Sequence, residues 1–241
     1  AVFDKGLPEK RLAALPSYKA TRPPMPDKLR AQMAPIREWL EIAGWTIIER
    51  EGDEADDLIA GIVDAREGIE TYVVSSDKDL GQLVTDDVYQ LVPAKKGGLE
   101  RLGPSDIEEK FGVPPEAVGD FLALLGDSSD NIPGVPGVGK KTAAALLQQF
   151  GSIDAMLADT DAIQKPKIRG AIEENRELLA RNRQLVSLCR DLPPGWTGVD
   201  GLRRSPPDWD TLLQVARDNN LKTLTKQLQD LRHEARNPSL F

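Results

Sequence analysis

The chain has 241 residues, 40% of them apolar and 29% charged, and a formal net charge of −8. That is the make-up of an ordinary globular protein with a sizeable core. Cys189 is the only cysteine and His233 the only histidine, which excludes an internal disulfide framework, a multi-cysteine zinc site and a histidine-rich centre. No apolar run reaches membrane-span length and the start Ala1-Val2-Phe3-Asp4 has no signal-peptide character. A cytoplasmic protein without membrane association is expected.

In chain order, Ala1-Val2-Phe3 reads as the end of a buried strand whose front is missing, so the N-terminus is expected to be a truncation. Residues 5–30 form a basic segment that Pro8, Pro16, Pro23, Pro24 and Pro26 keep from becoming one long helix. Leu29, Met33, Ile36 and Leu40 recur at helical spacing, predicting a helix over Asp27–Ala43 that Gly44 stops. Trp45–Ile48 is predicted as a strand. Gly52-Asp53 opens a helix expected to bury Leu58, Ile59, Ile62 and Val63. Thr71–Val74 and Val88–Val92 are predicted strands, with a short helix over Asp77–Val84 between them. Strands alternating with helices imply an α/β class with a mostly parallel central sheet flanked by helices.

After about Leu102 the chain reads as helix and turn. Helices are predicted over Ser105–Phe111, Pro115–Leu125, Lys140–Phe150, Ile153–Ala158 and Pro166–Ala180. A return strand follows over Leu185–Leu188, then two amphipathic helices over Asp208–Arg217 and Leu221–Arg232. The expected domains are 1–102, 103–183 and 184–241.

Four groups of acidic residues stand at the ends of predicted strands or helices: Asp4; Glu54, Asp56 and Asp57; Asp77 and Asp79; Asp127 and Asp130. Singly, each has a bland reading, as a helix-dipole partner, an N-cap or loop chemistry. Together, the first three groups would converge on the edge formed by the C-terminal ends of parallel strands, where ligands bind. So many carboxylates repel unless cations join them. Oxygen-only donors favour Mg²⁺ or Mn²⁺ over zinc, and two such ions suit phosphodiester hydrolysis. The acidic net charge counts against a nucleic-acid binder only until the bound cations are included.

Gly134-Val135-Pro136-Gly137-Val138-Gly139-Lys140-Lys141-Thr142 leads into a predicted helix. Its glycines permit close backbone approach, the helix start offers N–H groups to phosphate, and the lysines add sequence-independent attraction. A plain glycine turn is the bland alternative. A nucleotide loop is a weaker rival, because Lys141 stands where a hydroxyl is needed. Tyr18-Lys19-Ala20-Thr21-Arg22 reads either as a solvated loop or as a clamp, with cations on phosphates and the ring on a base.

Val2-Phe3-Asp4, Tyr18–Pro23, Glu54–Asp57, Ser76–Asp79, Gly126–Asn131 and Gly134–Gly139, in that order and at those intervals, make the chain resemble the 5′→3′ exonuclease domain of bacterial DNA polymerase I and the flap endonucleases. The resemblance implies a PIN-like 5′-nuclease fold: a catalytic α/β domain with an arch at about 5–30, and a helix–three-turn–helix DNA-binding subdomain. It implies Asp4, Glu54, Asp56 and Asp57 near a first metal, Asp77 between two metals, and Asp79, Asp127 and Asp130 at a second. Lys19, Arg22 and Tyr18 would engage substrate. Gly134, Val135, Gly137, Val138, Gly139, Lys140, Lys141 and Thr142 would grip duplex DNA, with K⁺ held on hairpin carbonyls. It also implies a strand before Asp4 with one more aspartate, which this sequence does not contain.

The implied activity is two-metal hydrolysis of DNA at 5′ flaps, nicks and 5′ ends, or of RNA primers, in replication and repair. A monomer is expected, with a polymerase domain in the same gene product. Two alternatives stay open: a chain that binds branched DNA without cutting it, and a metal phosphatase acting on small substrates.

Overall fold

The computed structural model describes residues 1–193 and 195–236; the C-terminal segment Asn237–Phe241 lies outside them. In chain order these residues form α1 (Glu9–Ala14), α2 (Asp27–Ile42), α3 (Ala55–Asp64), β1 (Thr71–Val74), β2 (Val88–Pro93), β3 (Leu99–Leu102), α4 (Pro104–Phe111), α5 (Val118–Leu125), β4 (Gly126–Asp127), β5 (Ile132–Pro133), α6 (Lys140–Phe150), α7 (Ile153–Ala158), α8 (Pro166–Glu174), α9 (Arg176–Val186), α10 (Trp209–Asp218) and α11 (Lys222–Arg236). They divide into two units, one of residues 4–23 and 49–193, the other of residues 1–3, 24–48 and 195–236.

The larger unit carries the sheet. β1 pairs in parallel with β2, and β3 returns antiparallel along β2. The class is α/β, as expected, and β3 is an addition that the sequence pattern did not signal. Leu99 to Leu102 encloses two charged residues and buries little, so it lacks an apolar alternation to read. The largest core gathers Phe121, Leu122 and Leu124 of α5 with Leu146 and Leu147 of α6 and Leu179 and Leu185 of α9. Five of the eight residues of α5 are buried, the mark of a helix enclosed by others.

In the smaller unit α10 and α11 bury Leu212, Leu213, Ala216 and Leu228 against Ala43 and the flanking Trp39 and Ile42 of α2. Gly44 ends α2 at φ +82°, where a Cβ would stand 2.0 Å from the Ser205 carbonyl oxygen. Only glycine tolerates both conditions. Val2 and Ile48 form one parallel bridge, and this is all that forms of the strand expected over Trp45–Ile48.

Other expectations are corrected. Asp77–Val84 is a 3-10 turn over Asp79–Leu83. Ile59 and Ile62 are half-buried; Ala60 and Gly61 take the inner positions. The Pro166–Ala180 helix is two helices broken at Asn175, whose side-chain Nδ2 donates to the Ala171 carbonyl at 2.8 Å. Leu185 and Val186 end α9 and start no strand; a short apolar run is equally compatible with both.

Candidate metal centre

Within the larger unit, the loops after β1 and α5, the start of α3 and the segment around α1 enclose a cavity of about 490 Å³. Its walls include Asp4, Glu54, Asp56, Asp77, Asp79, Asp127 and Asp130, together with Arg11, Lys19, Arg22 and Lys78. Residues from four distant stretches of the chain therefore share one space.

Each carboxylate has a local reason for its position. Asp4 Oδ1 accepts from the backbone N–H of Ala55 at 2.7 Å, tying the chain start to the first turn of α3. Glu54 is the N-cap residue of α3 and is buried. Asp77 Oδ1 accepts from the Asp79 N–H at 3.0 Å. The backbone there is pinned by Gln90, which is fully buried and donates to the Ser75 and Asp77 carbonyls at 2.9 and 2.6 Å. Gln90 sits in a strand otherwise read as apolar, and a lone polar residue there is the one signal that could have found it.

Asp79, Asp127 and Asp130 each offer an oxygen within 4.8 Å of the others. Asp79 Oδ1 is buried with no hydrogen-bond partner, a state that costs free energy unless something joins it. Burial, then the charge of Asp77, pushes Asp79 up to about 7. Burial, then Asp77 and Asp4, does the same to Asp56. At Asp127 burial alone would raise the pKa, but hydrogen bonds from Lys78 at 2.7 Å and from Ser129 outweigh it and hold the carboxyl below its ordinary range.

The cations are in place as partners of these acids. Lys19 Nζ pairs with Glu54 Oε1, and Arg22 Nη2 lies 2.5 Å from Asp130 Oδ1. The Lys19 N–H donates to the Asp130 carbonyl at 3.0 Å, so the expected clamp segment is fastened to the loop after α5. Tyr18 departs from expectation. Its ring is only 6% exposed and lies in the main core, which leaves no face for a base. Its hydroxyl instead lies 3.1 Å from Asp130 Oδ2 and 3.3 Å from Glu54 Oε2.

Asp57 also departs. It does not line the cavity; both its oxygens are held by Arg11, a residue that sequence reasoning passed over as one of several basic side chains.

The glycine hairpin sits before α6, with Gly139 as its N-cap. Gly134 does approach backbone closely, but that of this chain: a Cβ would meet the Leu125 carbonyl oxygen at 2.0 Å. Val135 and Val138 turn their side chains into the core. Gly137 and Gly139 face open space, and Lys140 and Lys141 are exposed, with Thr142 half-buried.

The 5′-3′ exonuclease N-terminal resolvase-like domain matches residues 1–112, and the 5′-3′ exonuclease C-terminal SAM fold matches residues 113–210. The chain belongs to the 5′-3′ exonuclease family. It is 36% identical over its full length to the 5′-3′ exonuclease of Aquifex aeolicus (strain VF5), of which it spans 81%. It is 39% identical, again over its full length, to DNA polymerase I of Mycobacterium tuberculosis (strain ATCC 25618 / H37Rv), but spans only 27% of that protein. The fold resembles that of the T5 5′-exonuclease solved with bound divalent metal ions (zinc), at a TM-score of 0.66 and 24% identity, covering 95% of this chain and 82% of that one. It also resembles the catalytic core of Rad2 solved with DNA substrate, at a TM-score of 0.58 and 16% identity, covering 94% and 76%.

Proposed function

We propose that this chain is a structure-specific, metal-dependent 5′ nuclease that hydrolyses DNA phosphodiester bonds at 5′ flaps, nicks and 5′ ends. The observation that carries the reading is the single cavity in which seven carboxylates face four cations. The residues fit divalent metal: the donors are all oxygens, Asp79 Oδ1 is buried and unpartnered, and Asp56 and Asp79 hold protons near neutral pH that a cation would replace.

In this reading Asp79, Asp127 and Asp130 hold one Mg²⁺, with Mn²⁺ able to substitute. Asp4, Glu54 and Asp56 hold a second, and Asp77 stands between them. Bound there, such ions supply an activated water and neutralise charge on the phosphate. Lys19 and Arg22, now paired with Glu54 and Asp130, exchange those partners for the oxygens of the scissile phosphate. The N-terminus of α6, with Lys140 and Lys141, holds the duplex by its phosphates irrespective of sequence, and hairpin carbonyls take K⁺. Residues 1–102 supply most of the catalytic centre, and 103–183 grip the DNA while adding Asp127 and Asp130 to that centre. The match to polymerases more than three times as long supports a polymerase domain in the same gene product.

A 5′-labelled flap duplex incubated with this chain should release a short 5′ product in Mg²⁺ and none in EDTA. Asp77→Ala should abolish release while leaving DNA binding intact. DNA binding without metal-dependent release would leave only a DNA-gripping module. Turnover of small phosphomonoesters without cleavage of DNA would point to a phosphatase.

A further inference from the structure

Arg11 lines the cavity, yet nothing in the proposed chemistry uses it. Four of its guanidinium N–H groups donate hydrogen bonds, and Nη1 also forms an ion pair with Glu54. Nε donates to the Leu185 carbonyl at 2.9 Å. Nη1 reaches Asp57 Oδ2 and Glu54 Oε2, both at 2.6 Å. Nη2 reaches Asp57 Oδ1 at 2.8 Å and the Ser187 carbonyl at 3.2 Å. A guanidinium held by two carboxylates and two carbonyls is not free to take a phosphate. Asp57 is held as well: its Oδ1 also accepts from the Cys189 N–H at 2.8 Å. The side chains of Arg11, Glu54 and Asp57 are 11%, 8% and 6% exposed.

We infer that Arg11 and Asp57 form a strut that positions Glu54, and that Asp57 serves the metal centre through Arg11 and not as a ligand. The strut joins α1, the start of α3 and the segment after α9. It holds Glu54 by Oε2 and leaves Oε1, the oxygen that Lys19 now takes, directed to the cavity. A bidentate fork fixes the carboxylates in one plane, which a lysine's point charge cannot do. The inference rests on the nuclease reading, since it is the metal that Glu54 is positioned for.

The test is Mn²⁺ affinity by calorimetry or electron paramagnetic resonance, which needs no turnover, with thermal unfolding checked in each variant. Residues that orient metal ligands typically change metal affinity about 10- to 100-fold when lost. Arg11→Lys and Asp57→Asn should each weaken Mn²⁺ binding at the low end of that range. Both should raise the Mg²⁺ needed for half-maximal cleavage and leave metal-free DNA affinity unchanged. Should a lone charge prevent folding, Arg11→Met with Asp57→Asn removes both charges, and it should bind Mn²⁺ no worse than Arg11→Met alone. The strut is overturned by wild-type Mn²⁺ affinity in Arg11→Lys or in the neutral pair. A further loss on adding Asp57→Asn to Arg11→Met would overturn it too, by making Asp57 a direct ligand. A wild-type chain that binds no Mn²⁺ would instead refute the nuclease reading itself.

Discussion

Two aspartates titrate near neutrality in the metal-free chain, and this sets a direction for its stability. Asp56 and Asp79 are raised from 3.8 to about 7. Between those values the folded chain binds more protons than the unfolded one, so stability falls as pH rises from about 4 to 7 and levels off above. Asp127 acts oppositely: its lowered pKa lends stability that is present above its ordinary value and is lost on acidification. In EDTA the chain should therefore melt at a lower temperature at pH 8 than at pH 5.5, and Asp79→Asn should raise the pH 8 midpoint and flatten the slope. An unchanged slope in that variant would remove Asp79 from the account. The acidic types around Glu54 and Asp77 were legible from their spacing after predicted elements. The orientations of Asp57 and Tyr18 were not, because each is set by a partner far along the chain: Arg11 lies 46 positions from Asp57, and Asp130 lies 112 from Tyr18.

Among elements, the helices were the most legible. α6 and α7 begin and end where periodicity, Gly139 and Gly151 put them. α9 contains the clearest omission. Asn182 is fully buried, and its Nδ2 donates to the Ala123 carbonyl of α5 at 2.9 Å and to the Pro133 carbonyl of β5 at 2.7 Å. It thereby ties α9 to the strand that leads into the glycine hairpin. Asn182→Leu should cost about 2 kcal/mol or more, since two buried carbonyls lose their donor. Urea unfolding measures this, and a change below about 0.5 kcal/mol would show that water replaces the amide. Within a helix of alternating charged and apolar residues, an asparagine reads as surface. Only the packing of α5 against α9 makes it a cross-link.

At the scale of the whole molecule the question is how a chain of net charge −8 holds a polyanion. Seven of the 39 acidic residues are gathered in one cavity beside four cations, while Lys140 and Lys141 stand exposed at the start of α6. Lys140→Ala with Lys141→Ala should weaken binding equally for unrelated DNA sequences. It should also reduce the slope of log affinity against log salt by up to about 1.8, at about 0.9 for each phosphate that a lysine no longer neutralises. A sequence-dependent loss would mean that these lysines read bases instead. By itself the sequence determined the chemistry: an oxygen-donor centre, since histidine and cysteine are nearly absent, and an α/β part followed by helices, since hydrophobic periodicity is local. Tertiary structure alone decided which acids face the cavity and which face Arg11. It also decided that residues 24–48 share a core with residues beyond 195. Spacing along a chain dictates which side of its own helix or strand a residue occupies, but its partner is chosen by packing between segments that are far apart in sequence.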